Sequence, residues 1–173
     1  MAIYGAALFQ LAGRQLSVAA TRRTIGRIKL LFDGHLPSPS ELLGIEPIQL
    51  RAAGLSRRKV ETLRDLAERL SDGRLDEDAL ALLPDDDFVS ALTAISGIGP
   101  WTAQGVLLVA RRREDVVLPA DPALRRAIRE AYELGRLPSE QEVLAIAERW
   151  RPFRSLAVSY LFASAFDRDD VEA

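Results

Sequence analysis

The chain has 173 residues, 48% of them hydrophobic and 28% charged, a balance that fills the core of one domain, or of one domain with a small attached lobe. It has no cysteine and a single histidine, which excludes disulfides and thiolate-held iron–sulfur clusters; His35, in a turn-like stretch between Gly34 and Leu36, is a poor start for a zinc site. Lys and Arg number 23 against 25 Asp and Glu, a net charge of −2, so the total charge gives no direct sign of a nucleic-acid partner.

The distribution of charge softens that objection. Arg22, Arg23, Arg27 and Lys29 cluster, as do Arg57 to Lys59, Arg111 to Arg113 and Arg125-Arg126, while acid gathers at Asp76 to Asp78, at Asp85 to Asp87 and in the tail from Asp167. Any one cluster reads first as a solvated helix face, yet a protein can present one basic face and remain acidic overall. No apolar run approaches the roughly 18 residues that span a bilayer. The opening residues lack the basic n-region and small-residue cleavage site of a secretory signal. A cytoplasmic location is expected.

Apolar spacing is helical almost throughout, and the chain reads as all-α with about nine or ten short-looped helices. After a short apolar opening, Leu16 to Phe32 forms a helix with Leu16, Ala19, Ala20, Ile28 and Leu31 on one face. Ser38-Pro39-Ser40-Glu41 is a capping box with proline at the first helical position. Gly54 stops the next short helix. Ser56 caps a longer one, in which Val60, Leu63, Leu66, Ala67 and Leu70 recur before Ser71-Asp72-Gly73 ends it. Further helices read from Asp85, Pro100, Pro122, Ser139 (with Glu142 completing a second capping box) and Pro152.

The sharpest local feature is Ile95-Ser96-Gly97-Ile98-Gly99-Pro100-Trp101. A helix ends near Ile95, two glycines bracket one isoleucine, and Pro100 begins the next helix. Glycine permits positive φ and close approach of another backbone, and N–H groups at such a turn and helix start form a concavity suited to an anion. Ile98 points inward and pins the two helices. For Gly-x-Gly alone, an ordinary helix–helix corner with glycine at a helix C-cap is the plainer explanation. Further on, Val116-Val117-Leu118-Pro119-Ala120 leads to Asp121-Pro122, a strong N-cap signal. Capping does not exhaust what Asp121 can do, because an anion held at a helix start can face a positively charged transition state.

In these segments the sequence resembles the helix-hairpin-helix–Gly/Pro/Asp (HhH-GPD) superfamily of DNA glycosylases, in its 3-methyladenine DNA glycosylase II branch. The residues that carry the resemblance are Gly13 to Ala20, Ala53-Gly54-Leu55-Ser56 through Lys59, Gly97 to Ala103, Leu118 to Asp121 and Glu148 to Ser155, in the expected order along nearly the whole chain. The resemblance implies a two-lobed helical fold with the active cleft between the lobes. It implies a single domain over 1–173, with approximate lobes 21–120 and 1–20 plus 121–173, lacking the N-terminal α/β domain of longer relatives. It further implies base excision repair on a flipped-out nucleotide in double-stranded DNA, nucleoid-associated if the source is a prokaryote. No cofactor, metal, membrane or iron–sulfur cluster is expected. Asp121 aligns with the catalytic aspartate, which stabilises the oxocarbenium-like sugar and helps place the attacking water.

Bifunctional relatives place a lysine where this chain has Trp101, so base release without strand cleavage is expected. Trp101, Phe162 and Tyr160 are candidates for the base pocket, each with core packing as the plain alternative. Gly97, Ile98, Gly99, Thr102, Arg14, Gln15 and Ser17 are the expected DNA-contacting set. Relatives usually show Gln-Gln where this chain has Arg14-Gln15, the second aligning with the residue that plugs the gap left by the flipped base. Gly105 falls where some relatives carry a pocket aromatic, which suggests a roomier pocket. Relatives also have a helix before the Gln-Gln segment, for which this chain has few residues. A monomer is expected, or a dimer if the short N-terminus is natural and leaves apolar surface bare. Two other readings stay open: a glycosylase for deaminated or oxidised bases, and a catalytically silent DNA-binding module.

Overall fold

In the computed structural model, which describes residues 2–16 and 18–169, all regular structure among the described residues is helical. The chain divides into two compact units, Met1–Arg111 and Arg112–Ala173.

The first unit holds α1 (Ile3–Gly13), α2 (Val18–Leu30), α3 (Pro39–Gly44), α4 (Pro47–Ala52), α5 (Arg57–Ser71), α6 (Glu77–Leu82), α7 (Asp85–Thr93) and α8 (Pro100–Ala110). Its centre is α1, whose Ile3, Tyr4, Ala6, Ala7, Leu8, Leu11 and Ala12 are all buried and which packs against α8, α2 and α5. The short apolar opening is thus a helix, and it belongs with 1–111 rather than with 121–173 as the sequence suggested. A helix buried on nearly every side shows no amphipathic period, and Ala2 before it offers no capping side chain. Neither of the usual signals was therefore present.

The buried face of α2 follows expectation only in part. Ile28 is buried as its spacing predicts, together with Thr24 and Ile25, while Leu16 and Leu31, which fall outside the helix, are 40% and 36% exposed. The other elements follow their local chemistry. Ser38 accepts from Glu41 N–H at 3.4 Å and its own N–H donates to Glu41 at 2.8 Å, closing the α3 capping box. Val60, Leu63, Leu66 and Ala67 of α5 are buried as their spacing predicts. Asp76 and Asp78 stay exposed, as a solvated face should, and the cluster also starts α6: Asp76 accepts from Asp78 and Ala79 N–H at 2.8 and 3.2 Å. Arg111, from the 111–113 basic run, turns inward. It lies 5.0 Å over the Phe88 ring and donates to the carbonyls of Ala81 and Leu83 at 2.9 and 2.7 Å, covering the last turn of α6.

The second unit holds α9 (Pro122–Ala131), α10 (Glu140–Ala147), a 3-10 turn (Glu148–Trp150) and α11 (Arg154–Asp169). Its core is Leu124, Ala127, Ile128, Val143, Ala147 and Val158, with α9 packed on α11. The Ser139–Glu142 capping box forms, with bonds of 3.3 and 2.8 Å. The last helix starts at Arg154 rather than Pro152, and the Arg151–Pro152 bond is cis.

Candidate active site and nucleic-acid interface

Asp121 is the N-cap of α9, with extended backbone and Pro122 at the first helical position. One of its carboxylate oxygens accepts the N–H groups of Ala123 and Leu124 at 2.8 and 2.9 Å, which satisfies two donors that every helix start leaves open. The residue is only 7% exposed, so a carboxylate is fixed in orientation and largely shielded from solvent.

The loop leading to Asp121 is tied down by the start of α11. Ser155 Oγ accepts from Val116 N–H at 2.9 Å and donates to the Arg113 carbonyl, and Ser155 N–H donates to Glu114 O at 2.9 Å. Arg154 donates to the Asp115 carbonyl and carboxylate at 2.8 and 2.9 Å, and its guanidinium, then that of Arg151, holds the Asp115 carboxyl below its ordinary value. Nothing in the sequence gives Arg154 and Ser155 a task; in the structure they brace the segment that delivers Asp121. On α11, Tyr160 is 70% exposed and Phe162 is half-buried.

In the first unit, the hairpin between α7 and α8 depends on one glycine. Gly97 has φ +92, and a Cβ there would lie 2.0 Å from Thr62 Oγ1, so neither the backbone nor the space admits a side chain. Gly99 has φ −98, and a Cβ on it would meet nothing within 4 Å; the protein's own packing does not require a glycine there. Ile98 is buried, as expected of a pin between the helices. Thr102 is buried too, its hydroxyl with no hydrogen-bond partner among the described residues, so its side chain faces the protein interior and any contact with DNA falls to its backbone.

The turn after α1 carries Arg14 and Gln15. Arg14 Nη1 donates to the Gly97 carbonyl at 3.2 Å, and Lys59 Nζ, from α5, donates to the carbonyls of Ala12 and Arg14 at 2.9 and 2.7 Å. Burial, and then the Arg14 charge, hold the Lys59 ammonium below the ordinary lysine value. Gln15 is exposed, with φ +65. Ser17 lies outside the described residues. Trp101, in the first turn of α8, is half-buried. Gly105 follows it by four residues on the same face. A Cβ on Gly105 would lie 2.5 Å from the Gln10 amide carbon, so the space expected to be empty there is filled by Gln10 from α1.

Residues 11–152 match the HhH-GPD superfamily of base excision DNA repair proteins. The chain belongs to that superfamily. Within it, the chain falls in the 3-methyladenine DNA glycosylase branch. It is 30% identical over 156 residues to DNA-3-methyladenine glycosylase 1 of Schizosaccharomyces pombe, covering 89% of this chain and 68% of that protein. It is 28% identical to DNA-3-methyladenine glycosylase 2 of Escherichia coli over 87% of this chain and 53% of the relative. The solved S. pombe 3-methyladenine DNA glycosylase in complex with abasic DNA superposes with a TM-score of 0.87 at 29% identity, covering 93% of this chain and 79% of that one. The chain therefore shares its fold with that solved glycosylase.

Proposed function

We propose that this chain is a monofunctional DNA glycosylase of base excision repair. It hydrolyses the N-glycosidic bond of alkylated purines, of the 3-methyladenine and 7-methylguanine type, in nucleotides flipped out of duplex DNA. The observation that carries the reading is Asp121, a carboxylate 7% exposed whose oxygen is pinned by two helix N–H groups, in a chain similar to enzymes named for 3-methyladenine.

An N-alkylated purine is already cationic. When its C1′–N bond breaks, the electron pair leaves with the base, which departs neutral without needing a strong general acid. The positive charge passes to the sugar, where a fixed carboxylate stabilises it. Water then bonds to C1′ and gives up a proton, which Asp121 is suited to receive, and an abasic site remains. Trp101 carries no amine, so no Schiff base forms and the strand stays intact. Its ring offers a face to a cationic base, a role for which Tyr160 and Phe162 are the other aromatic candidates. The hairpin holds a DNA phosphate through backbone N–H groups, and the open space beside Gly99 suits close approach by that phosphate. Gln15 fills the gap left by the flipped nucleotide.

One observation favours a second reading of the lesion. The polar amide of Gln10 sits over Gly105, one turn from Trp101, and an amide there is able to read the carbonyl and N–H edge of a deaminated base such as hypoxanthine.

The test is release of free base from methylated duplex DNA, comparing the parent with Asp121→Asn. Asparagine also caps helices well, so the variant is expected to fold and bind DNA but lose base release, with no strand breaks in either case. Equal release by parent and variant would refute the assignment of Asp121. Release from inosine-containing duplex, and none from methylated DNA, would select the second reading.

A further inference from the structure

The segment Gly54-Leu55-Ser56 through Lys59 is part of the family pattern, yet the chemistry above gives Lys59 no task. We propose that Lys59 is a positioning residue for base flipping: from one face of α5 it locks the turn that carries Gln15 in register with the phosphate-holding hairpin. The inference rests on the DNA glycosylase reading and on Gln15 as the residue that enters the duplex.

The end of α1 leaves carbonyls without helical partners. The Lys59 ammonium takes two of them, Ala12 O at 2.9 Å and Arg14 O at 2.7 Å, as charge-assisted bonds at the negative end of a helix. The second bond matters more, because the Arg14 carbonyl belongs to the peptide plane that joins Arg14 to Gln15. Gln15 has φ +65, a conformation that a residue with a side chain adopts at a cost and keeps only where its surroundings impose it. Lys59 imposes it by fixing that plane.

The same face of α5 holds the hairpin. Thr62 lies three residues after Lys59, and its Oγ1 donates to Ser96 O at 3.1 Å, against the Gly97 that admits no Cβ. Arg14 closes the arrangement by donating from the turn to Gly97 O at 3.2 Å. Two elements that touch DNA, residues 13–15 and residues 96–99, are thus fastened to one rigid helix by side chains a single turn apart. Removing Lys59 frees the Arg14–Gln15 peptide plane, with only the Arg14 side chain still tying the turn to Gly97 O, and leaves the hairpin on Thr62. Phosphate contacts set the position on the duplex, so binding and flipping separate. General destabilisation would not separate them.

The experiment uses the full chain with Lys59→Met and Lys59→Arg, and three readouts. These are affinity for an undamaged duplex, fluorescence of a 2-aminopurine placed to report extrusion of the target nucleotide, and single-turnover base release. Lys59→Met is expected to bind within about threefold of the parent while flipping and base release fall by about tenfold or more, in the range that a misplacement near 1 Å costs. Lys59→Arg, which keeps a charged donor, is expected to recover most of the loss. A Lys59→Met protein that flips and releases base at the parent rate overturns the proposal, as does one that loses binding and flipping in equal proportion. Should Lys59→Met fail to fold, Lys59→Gln retains neutral N–H donors and is judged by the same ratio of flipping to binding. A parent that flips the nucleotide but releases no base strikes the glycosylase reading instead, and the flipping ratio of the variants still decides the role of Lys59.

Discussion

Gly97 and Gly105 are both glycines pressed against a side chain from another helix, and they should respond differently to alanine. At Gly97 a Cβ meets Thr62 Oγ1 at 2.0 Å and Thr62 Cβ at 3.1 Å, with φ +92. Thr62 is short, buried and bonded to Ser96 O, so nothing yields. Gly97→Ala is expected to cost about 2–4 kcal/mol. At Gly105 the obstruction is the far end of Gln10, 2.5 to 2.8 Å away, and a long flexible side chain can swing aside. Gly105→Ala should cost less than about 1 kcal/mol. Denaturant melts of the two variants measure the difference, and a similar loss from both would contradict the geometry.

Among the elements, α10 rests on chemistry written in its own first turn. Ser139 accepts from Glu142 N–H at 3.3 Å, and Glu142 accepts from Ser139 N–H at 2.8 Å and from Arg136 at 2.7 Å. Ser139→Ala removes the hydroxyl half of the box and leaves the carboxylate half. A loss of about 1 kcal/mol is expected, read as a lowered melting temperature; no change would mean that the hydroxyl contributes nothing beyond what water supplies. The contrast with α1 is instructive. One helix announces itself by Ser-x-x-Glu, while the other, with no capping residue of its own and no polar face, is held by its burial and by distant side chains, Glu77 accepting Tyr4 N–H at 2.7 Å at its start and Lys59 from 45 residues away at Arg14.

For the whole molecule, the carboxylates predict how stability varies with acid. Bonds from Ser38, and then from His35, hold Glu41 down to about 2. Arg136, and then Ser139, hold Glu142 down to about 2. The Arg74 N–H lowers Asp72, Arg154 and then Arg151 lower Asp115, and Arg151 and then Arg154 lower Glu148. Each folded value lies below its unfolded counterpart of about 4, so the unfolded chain takes up protons first as pH falls. Their contribution is therefore intact above about pH 5 and drains away between there and about pH 2. Thermal melts across that interval should fall steadily, and Arg136→Ala should flatten part of the fall by releasing Glu142. A melting temperature constant from pH 6 to 2 would contradict this. These groups are exposed, so salt should weaken the effect.

Much of the chain was legible without its tertiary structure because the information was local. The all-α class, the capping boxes at Ser38 and Ser139, the hairpin glycine at 97 and the capping position of Asp121 each depend on residues within four of one another. The order along the chain of Gly13 to Ala20, Ala53 to Lys59, Gly97 to Ala103, Leu118 to Asp121 and Glu148 to Ser155 carried the resemblance to the superfamily. What only the tertiary structure decided are meetings between distant residues. Among these are α1 buried against α8, Arg111 turned inward to the carbonyls of Ala81 and Leu83, Gln10 over Gly105, and Lys59 and Arg14 joining the Gln15 turn to the hairpin. Periodicity shows that a face is apolar but not what covers it, and a positive charge in a sequence looks the same whether it meets solvent, phosphate or the end of a helix.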